Sequence, residues 1–264
     1  MKWRKLPSPF CRAVAKTEPM ALPEYFSELL PFREHFSEGF PILCYHKTEP
    51  VPAGARIKGL YLKPALFRRQ IKELAGAGFS FSLPGPHAPS HAIAITFDDG
   101  FVSNLEAAVP ILREFGARAI NYLVADRIGK SSDWETAEGG EARPLMEEAQ
   151  VRDWLAAGNW IGAHTCTHPR LSKIPRDRAR EEICSSKRKL EDRFGQAIEH
   201  FAYPFGDYDE AVVEMVREAG FKTAVTMDRG VNDRNTDPFR LKRWTARYPT
   251  RTLSAFLLKL FQPR

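Results

Sequence analysis

Short apolar runs alternate with segments of helical period along most of this chain. Ile93-Ala94-Ile95-Thr96-Phe97 drives straight into Asp98-Asp99-Gly100. A run of that length, ended by a glycine turn, predicts a buried strand. Phe40 to His46 predicts an earlier strand that ends in a histidine. The spacing of Phe67, Ile71 and Leu74 then predicts a helix that starts at Pro64 and stops at Gly76 and Gly78. Phe79 to Leu83 is short and strand-like, and Pro84 to Ser90 is a turn-rich connector. Ser103 stands where it could cap a helix through Leu105, Ala108, Val109, Leu112 and Phe115, closed by Gly116. Further strands are predicted over 119–125, 159–163, 198–203, 221–226 and 241–246. Helices are predicted over 145–157, 175–194, 209–219 and 251–261.

About seven strand–helix alternations argue for a parallel, closed or nearly closed βα barrel in a single domain, with a doubly wound sheet as the alternative. That domain is expected over residues 40–264. Residues 1–39 are interrupted by Pro7, Pro9 and Pro19 and are read as an extension with a short helix near Tyr25 to Phe36. The stretch Asp126 to Arg143 is polar, contains glycine and holds Trp134, which predicts a long loop over one end of the sheet. Such loops are often functional. Trp134 could stack on a sugar face or pin the loop to the barrel. Leu253 to Phe261 is apolar enough for a membrane-surface helix, although packing across the barrel is the commoner use of that pattern.

Charge changes this picture little. The 39 Lys and Arg residues exceed the 33 Asp and Glu residues, for a net charge of +6. No dense basic block with interleaved aromatics appears, so no nucleic-acid partner is expected. Cys11, Cys44, Cys166 and Cys184 form no CxxC pair and suit a reduced chain. No stretch approaches the ~20 apolar residues of a membrane span, and residues 1–23 lack an apolar leader core. Cytoplasmic residence is the expectation, with the inner face of the membrane included for a lipid-linked substrate.

Candidate chemistry collects at predicted strand ends, where α/β folds place their sites. Asp98 and Asp99 are adjacent like charges at such an end, an arrangement that calls for a cation beside them. His164-Thr165-Cys166-Thr167-His168 follows another strand. A lone HxxxH pair is weak and could be ordinary loop polarity. Combined with the acids, one Asp and two His suit a metal with open positions for water and substrate. Phe201 to Gly206 is a strand ending in a Pro and Gly loop that can offer the N–H of Phe205 to a developing oxyanion. Cys166 lacks a triad partner and reads as packing.

Thr96-Phe97-Asp98-Asp99-Gly100, His164 to His168 and Tyr203-Pro204-Phe205-Gly206, in that order, resemble the polysaccharide deacetylases (the NodB-homology family, carbohydrate esterase family 4). The resemblance covers roughly residues 40–247 and includes Leu43-Cys44-Tyr45-His46. It implies a distorted (β/α)7 barrel and metal-dependent removal of N-acetyl groups from an amino sugar in a polysaccharide, oligosaccharide or lipid-linked glycan precursor. By the same resemblance Asp98 is the general base, and Asp99, His164 and His168 hold a divalent metal, Zn2+ first, with Co2+, Ni2+ and Mn2+ as alternatives.

The sequence departs from the family pattern twice. Ala202 stands where the third motif commonly has an arginine that pairs with the base. Arg243 or Arg240 could replace it from a neighbouring strand, with Arg243 preferred. No Leu-x-His stretch follows the last histidine, His200, so His46 is the best replacement for the general acid. His200 reads as a helper or as solvated, and His35, His87 and His91 as loop surface. Two alternative functions stay open: hydrolysis of a non-sugar amide on the same barrel, and non-catalytic glycan binding on a decayed scaffold.

Overall fold

The computed structural model describes residues 39–246 except 54, 86, 87 and 90. Most of the expected N-terminal extension, His35, His87 and the expected C-terminal helix lie outside the described residues. No described helix is long and apolar enough to cross a membrane.

Eight strands form the sheet: β1 (Ile42–Tyr45), β2 (Ser80–Phe81), β3 (Ala92–Asp99), β4 (Ile120–Leu123), β5 (Trp160–Ala163), β6 (His200–Ala202), β7 (Thr223–Val225) and β8 (Trp244–Thr245). Their order is β7-β6-β5-β4-β3-β1-β8, with β2 beside β3, and every pairing is parallel. The helices are α1 (Pro64–Gly76), α2 (Val109–Glu114), α3 (Trp134–Ala137), α4 (Glu148–Ala156), α5 (Arg176–Phe194) and α6 (Glu210–Glu218). The sheet curls until its two edges share one segment. Leu241 bridges to Val225 of β7, while Trp244 and Thr245 pair with Leu43 and Cys44 of β1. This is the distorted (β/α)7 barrel that the family resemblance implies. The expected strand over 241–246 is therefore split between two partners and regular for only two residues.

Strand alternation sorts the core into two layers. Ile42, Ala92, Ala94, Ile120, Tyr122, Ala202, Val225 and Leu241 pack inside the curl. Leu43, Tyr45, Ile93, Ile95 and Phe97 face outward and meet Phe67, Ile71, Trp154, Ile183 and Val216 of the helix layer. β3 is buried along its whole length, which is why its sequence is apolar at successive positions. Gly162 in β5 has a packing cause: a Cβ there would sit 2.5 Å from the Tyr122 ring and 2.7 Å from the His200 carbonyl oxygen.

Three local expectations are corrected. Ser103 makes no side-chain cap, and Asn104–Ala108 is a π-helical turn. Pro110 lacks the N–H that would continue an i→i−4 ladder, and the Val109 N–H reaches back to the Asn104 carbonyl instead. The helix expected from 145 begins at Glu148, because Leu145 bridges to Phe101 and the Met146 N–H donates to the Gly100 carbonyl. Glu147 and Gln150 then form a reciprocal capping box. The stretch expected as a loop over 126–143 carries α3, one turn that stands over the sheet's C-terminal rim.

Candidate active site

The alternation of β3 aims Asp98 into the curl, at the same parity as Ala94 and Thr96. Asp99 would then face the helices, but its φ of 75° breaks the alternation at the strand end. Five non-glycine residues among those described have positive φ, and four belong to this rim: Asp99, Thr165, His168 and Phe205. Left-handed backbone disfavours branched and bulky side chains, and it concentrates where a site is held against local preference.

The two carboxylates occupy different surroundings. Arg243 donates from Nη1 to Asp98 Oδ1 and from Nη2 to Asp98 Oδ2, each at 2.8 Å. Its Nε donates to the Thr226 carbonyl at 2.7 Å, and Nη1 also reaches Thr96 Oγ1 at 3.2 Å. The expected substitute arginine is thus Arg243. It lies two residues after Leu241 on the inward side, whereas Arg240 pairs outside with Glu210 and Asp237. Burial alone would push the Asp98 carboxyl up. The Arg243 guanidinium outweighs that and holds it well below the usual carboxylate range. Cys44 adds a long thiol contact to Asp98 Oδ2 at 3.6 Å. His46 Nε2 lies 3.9 Å from the same oxygen, and burial lowers its pKa despite the neighbouring acids.

Asp99 has no such cage. Its Oδ1 is buried without a hydrogen-bond partner, 3.3 Å from His168 Nε2 and 3.6 Å from His164 Nε2. Burial would raise Asp99, but His168, His46 and His164 together hold it down at about 2. His164 Nδ1 sits 2.7 Å from the Ala202 carbonyl oxygen, which can only accept. Nδ1 therefore carries the hydrogen and Nε2 turns a lone pair toward Asp99. Burial lowers His164 to about 4, so the ring is neutral near neutral pH.

The ligand atoms of Asp99, His164 and His168 lie within 4.8 Å of one another, and all three residues are buried. An unpaired carboxylate oxygen facing imidazole nitrogens fits a divalent cation with nitrogen and oxygen ligands. Cys44, His46 and Asp98 meet the same spacing. There Arg243 already supplies the positive charge.

Supporting contacts include several residues with no signal in the sequence. Glu182 projects from the charged helix α5, yet it is buried. It accepts from the backbone N–H groups of Cys166 and Thr167 and from Thr167 Oγ1, which fixes the loop between the two histidines. Thr165 Oγ1 accepts from the His168 N–H at 3.0 Å. Burial pushes the Cys166 thiol up to about 12, which suits the expected packing role. Trp134 stacks on His168 with ring centres 4.4 Å apart, and Phe205 meets the same imidazole edge-on at 4.6 Å. Trp134 thus packs on a candidate ligand at the rim. His200 is buried at the far end of β6, bonded to Thr223 and not solvated. His91 is exposed and stacks on Phe79. His46, Asp98, Asp99, Trp134, His168 and Phe205 all line one cavity of about 250 Å³ at the rim.

A parallel βα barrel that gathers buried acids and histidines at the C-terminal rim places them where enzymes of this architecture carry their chemistry. Residues 86–224 match the family model described as polysaccharide deacetylase, and the chain belongs to that family. YxkH of Bacillus subtilis, assigned by name to the polysaccharide deacetylases, is 26% identical over 212 residues, covering 77% of this chain and 70% of YxkH. A peptidoglycan-N-acetylglucosamine deacetylase of Bacillus cereus is 27% identical over 143 residues, 54% of this chain and 46% of the relative. The crystal structure of a polysaccharide deacetylase from Bacillus cereus superposes with a TM-score of 0.68 at 25% identity, covering 84% of this chain and 69% of that one.

Proposed function

We propose that this hydrolase removes N-acetyl groups from an amino sugar within a glycan, using a divalent cation held by Asp99, His164 and His168. The observation that carries the reading is the unpaired, buried Asp99 Oδ1 between two imidazoles, beside an Asp98 that Arg243 already neutralises. The Bacillus cereus relative named as a peptidoglycan-N-acetylglucosamine deacetylase supports the substrate class. When bound, the cation supplies Lewis-acid polarisation of the amide carbonyl and makes water more acidic.

The chain's own groups divide the remaining work. Asp98 accepts the proton of the attacking water. Bidentate pairing with Arg243 fixes its orientation and still leaves lone-pair sites on both oxygens. The loop at Phe205 offers its backbone N–H to the oxyanion that forms as the carbonyl is attacked. Asp98 hands the proton it took from water to His46, whose Nε2 lies 3.9 Å from Asp98 Oδ2, and His46 passes it to the nitrogen as the C–N bond breaks, giving acetate and a free amine. Burial favours its neutral form, so its conjugate acid gives up a proton readily. Zn2+ suits two imidazoles and one carboxylate.

The test is acetate release from N-acetylglucosamine oligomers by the full chain after loading with Zn2+ or Co2+. Release that a chelator stops and added metal restores is the expected result. Release unaffected by chelation overturns the reading. Hydrolysis of a simple non-sugar acetamide, with the oligomers untouched, would shift the function to the alternative amide substrate.

A further inference from the structure

Lys47 and Glu135 form a buried ion pair that none of the proposed chemistry uses. Lys47 Nζ lies 2.6 Å from Glu135 Oε1 and 2.7 Å from Oε2, and the two residues are only 1% and 4% exposed. The ammonium also sits 4.5 Å from the ring centres of both Tyr61 and Phe101. It is thus enclosed by two aromatic faces and a carboxylate. Such an enclosure gives the pair one geometry.

The position of this pair links it to the cavity. Lys47 follows His46 at the end of β1, and Glu135 lies in α3 next to Trp134. The Trp134 indole forms one wall of the cavity and stacks on His168. Other ties on the same wall are weaker. Glu138 pairs with Arg170 at 3.2 Å in the open, where such pairs contribute little, and the bidentate Arg143–Glu49 pair at 2.9 Å is only half-buried. The Lys47 main chain is held without its side chain, since its N–H donates to the Leu60 carbonyl and its carbonyl accepts from the Leu62 N–H.

The catalytic set is anchored separately. His164 is fixed by the Ala202 carbonyl, the His168 main chain by Thr165 and Asp98 by Arg243. None of these bonds runs through α3. Loss of the ion pair would therefore loosen the wall and leave these hydrogen bonds in place, with the His168 ring still held against Phe205 and His164.

We infer that Lys47 and Glu135 are positioning residues: their buried ion pair sets the Trp134 wall against which the bound sugar packs, and so governs substrate affinity more than turnover. The inference rests on the glycan-deacetylase reading above.

The test compares E135Q with the paired apolar replacement K47M/E135L. Removing one partner leaves a buried charge alone and can unfold the chain, whereas replacing both removes that cost. For K47M/E135L we expect a thermal midpoint near that of wild type and Co2+ affinity within about threefold. KM for N-acetylglucosamine oligomers, and their Kd by calorimetry, should rise about tenfold or more, with kcat within about threefold. E135Q, where folded, should show the same split.

A double variant with wild-type stability and wild-type KM and Kd would reduce the pair to a fold element and overturn the inference. So would a fall in kcat with KM unchanged. A wild-type chain that neither binds nor cleaves the oligomers overturns the underlying substrate reading, and the inference with it.

Discussion

Strand β6 has a buried histidine against each end, and the contrast between the two separates a site from a packed core. His200 opens the strand and places Nδ1 2.7 Å from Thr223 Oγ1. His164 docks on the strand's last residue, with Nδ1 2.7 Å from the Ala202 carbonyl. Burial lowers both to about 4. By burial, hydrogen bonding and titration they are nearly the same residue. They differ in what surrounds the ring. Beside His164 stand the unpaired Asp99 oxygen, a second imidazole and four left-handed backbone positions. The charges that act on His200 are Glu199, Lys222 and Lys187, of which Glu199 and Lys222 pair with each other at 2.6 Å. A perturbed histidine alone therefore marks nothing. Convergence of donors that lack partners marks the rim.

The strongest test of that contrast is to remove the convergence. D99A should abolish Co2+ binding, read from the visible absorption of the Co2+-loaded chain. Acetate release should fall on the order of 10³-fold or more. D98N should keep Co2+ binding and lose about 10²- to 10⁴-fold in kcat, the usual contribution of a general base. If D99A and D98N lost metal equally, the division of labour between the two adjacent carboxylates would be wrong.

A second test concerns the side of the rim that is already satisfied. R243M strips the buried Asp98 of its counter-charge, which should cost roughly 3–5 kcal/mol in denaturant unfolding. Adding D98N to R243M should recover much of that loss, since the orphaned charge is then gone. A cost below about 1 kcal/mol for R243M would mean that the guanidinium contributes no more than a surface pair.

Much of this arrangement was legible in the residues alone, and the unreadable parts share a cause. β3 could be read because burial on both faces demands an apolar run, and the break at Asp98-Asp99 is then conspicuous. Arg243 could be preferred to Arg240 only narrowly, because the sequence does not reveal where Leu241 joins β7. Once Leu241 is known to face inward, the two-residue period puts Arg243 inside and Arg240 outside. The π-turn at Asn104–Ala108 escaped because Ser103 has the composition of a cap without its geometry. Glu182, Lys47 and Glu135 were invisible for a different reason. Each is a charged residue in a polar stretch, and only long-range partners bury it. A charge run on a helix usually means solvent. Here α5 uses one of its acids to fix the loop between His164 and His168.

The smallest expected effect sharpens the comparison from the other end of β6. His200 has a folded value of about 4, below the unperturbed ~6.5 of the unfolded chain. Between those values the folded state binds fewer protons than the unfolded state. The stability tied to neutral His200 is thus fully present above ~6.5 and drains away as pH falls toward about 4. The loss amounts to roughly 3 kcal/mol at most. H200Q should flatten that part of the stability curve relative to wild type while leaving Co2+ binding and acetate release near wild-type levels. Loss of the Thr223 hydrogen bond adds only an offset that is the same at every pH, so the slope between pH 4 and 6.5 isolates the titration. An unchanged slope in H200Q would show that His200 is solvated when it titrates, and a loss of Co2+ binding would tie it to the rim. Either result would erase the distinction between the two histidines. The expected one leaves burial as a property they share and the unpaired donors around Asp99 as what makes one of them part of a site.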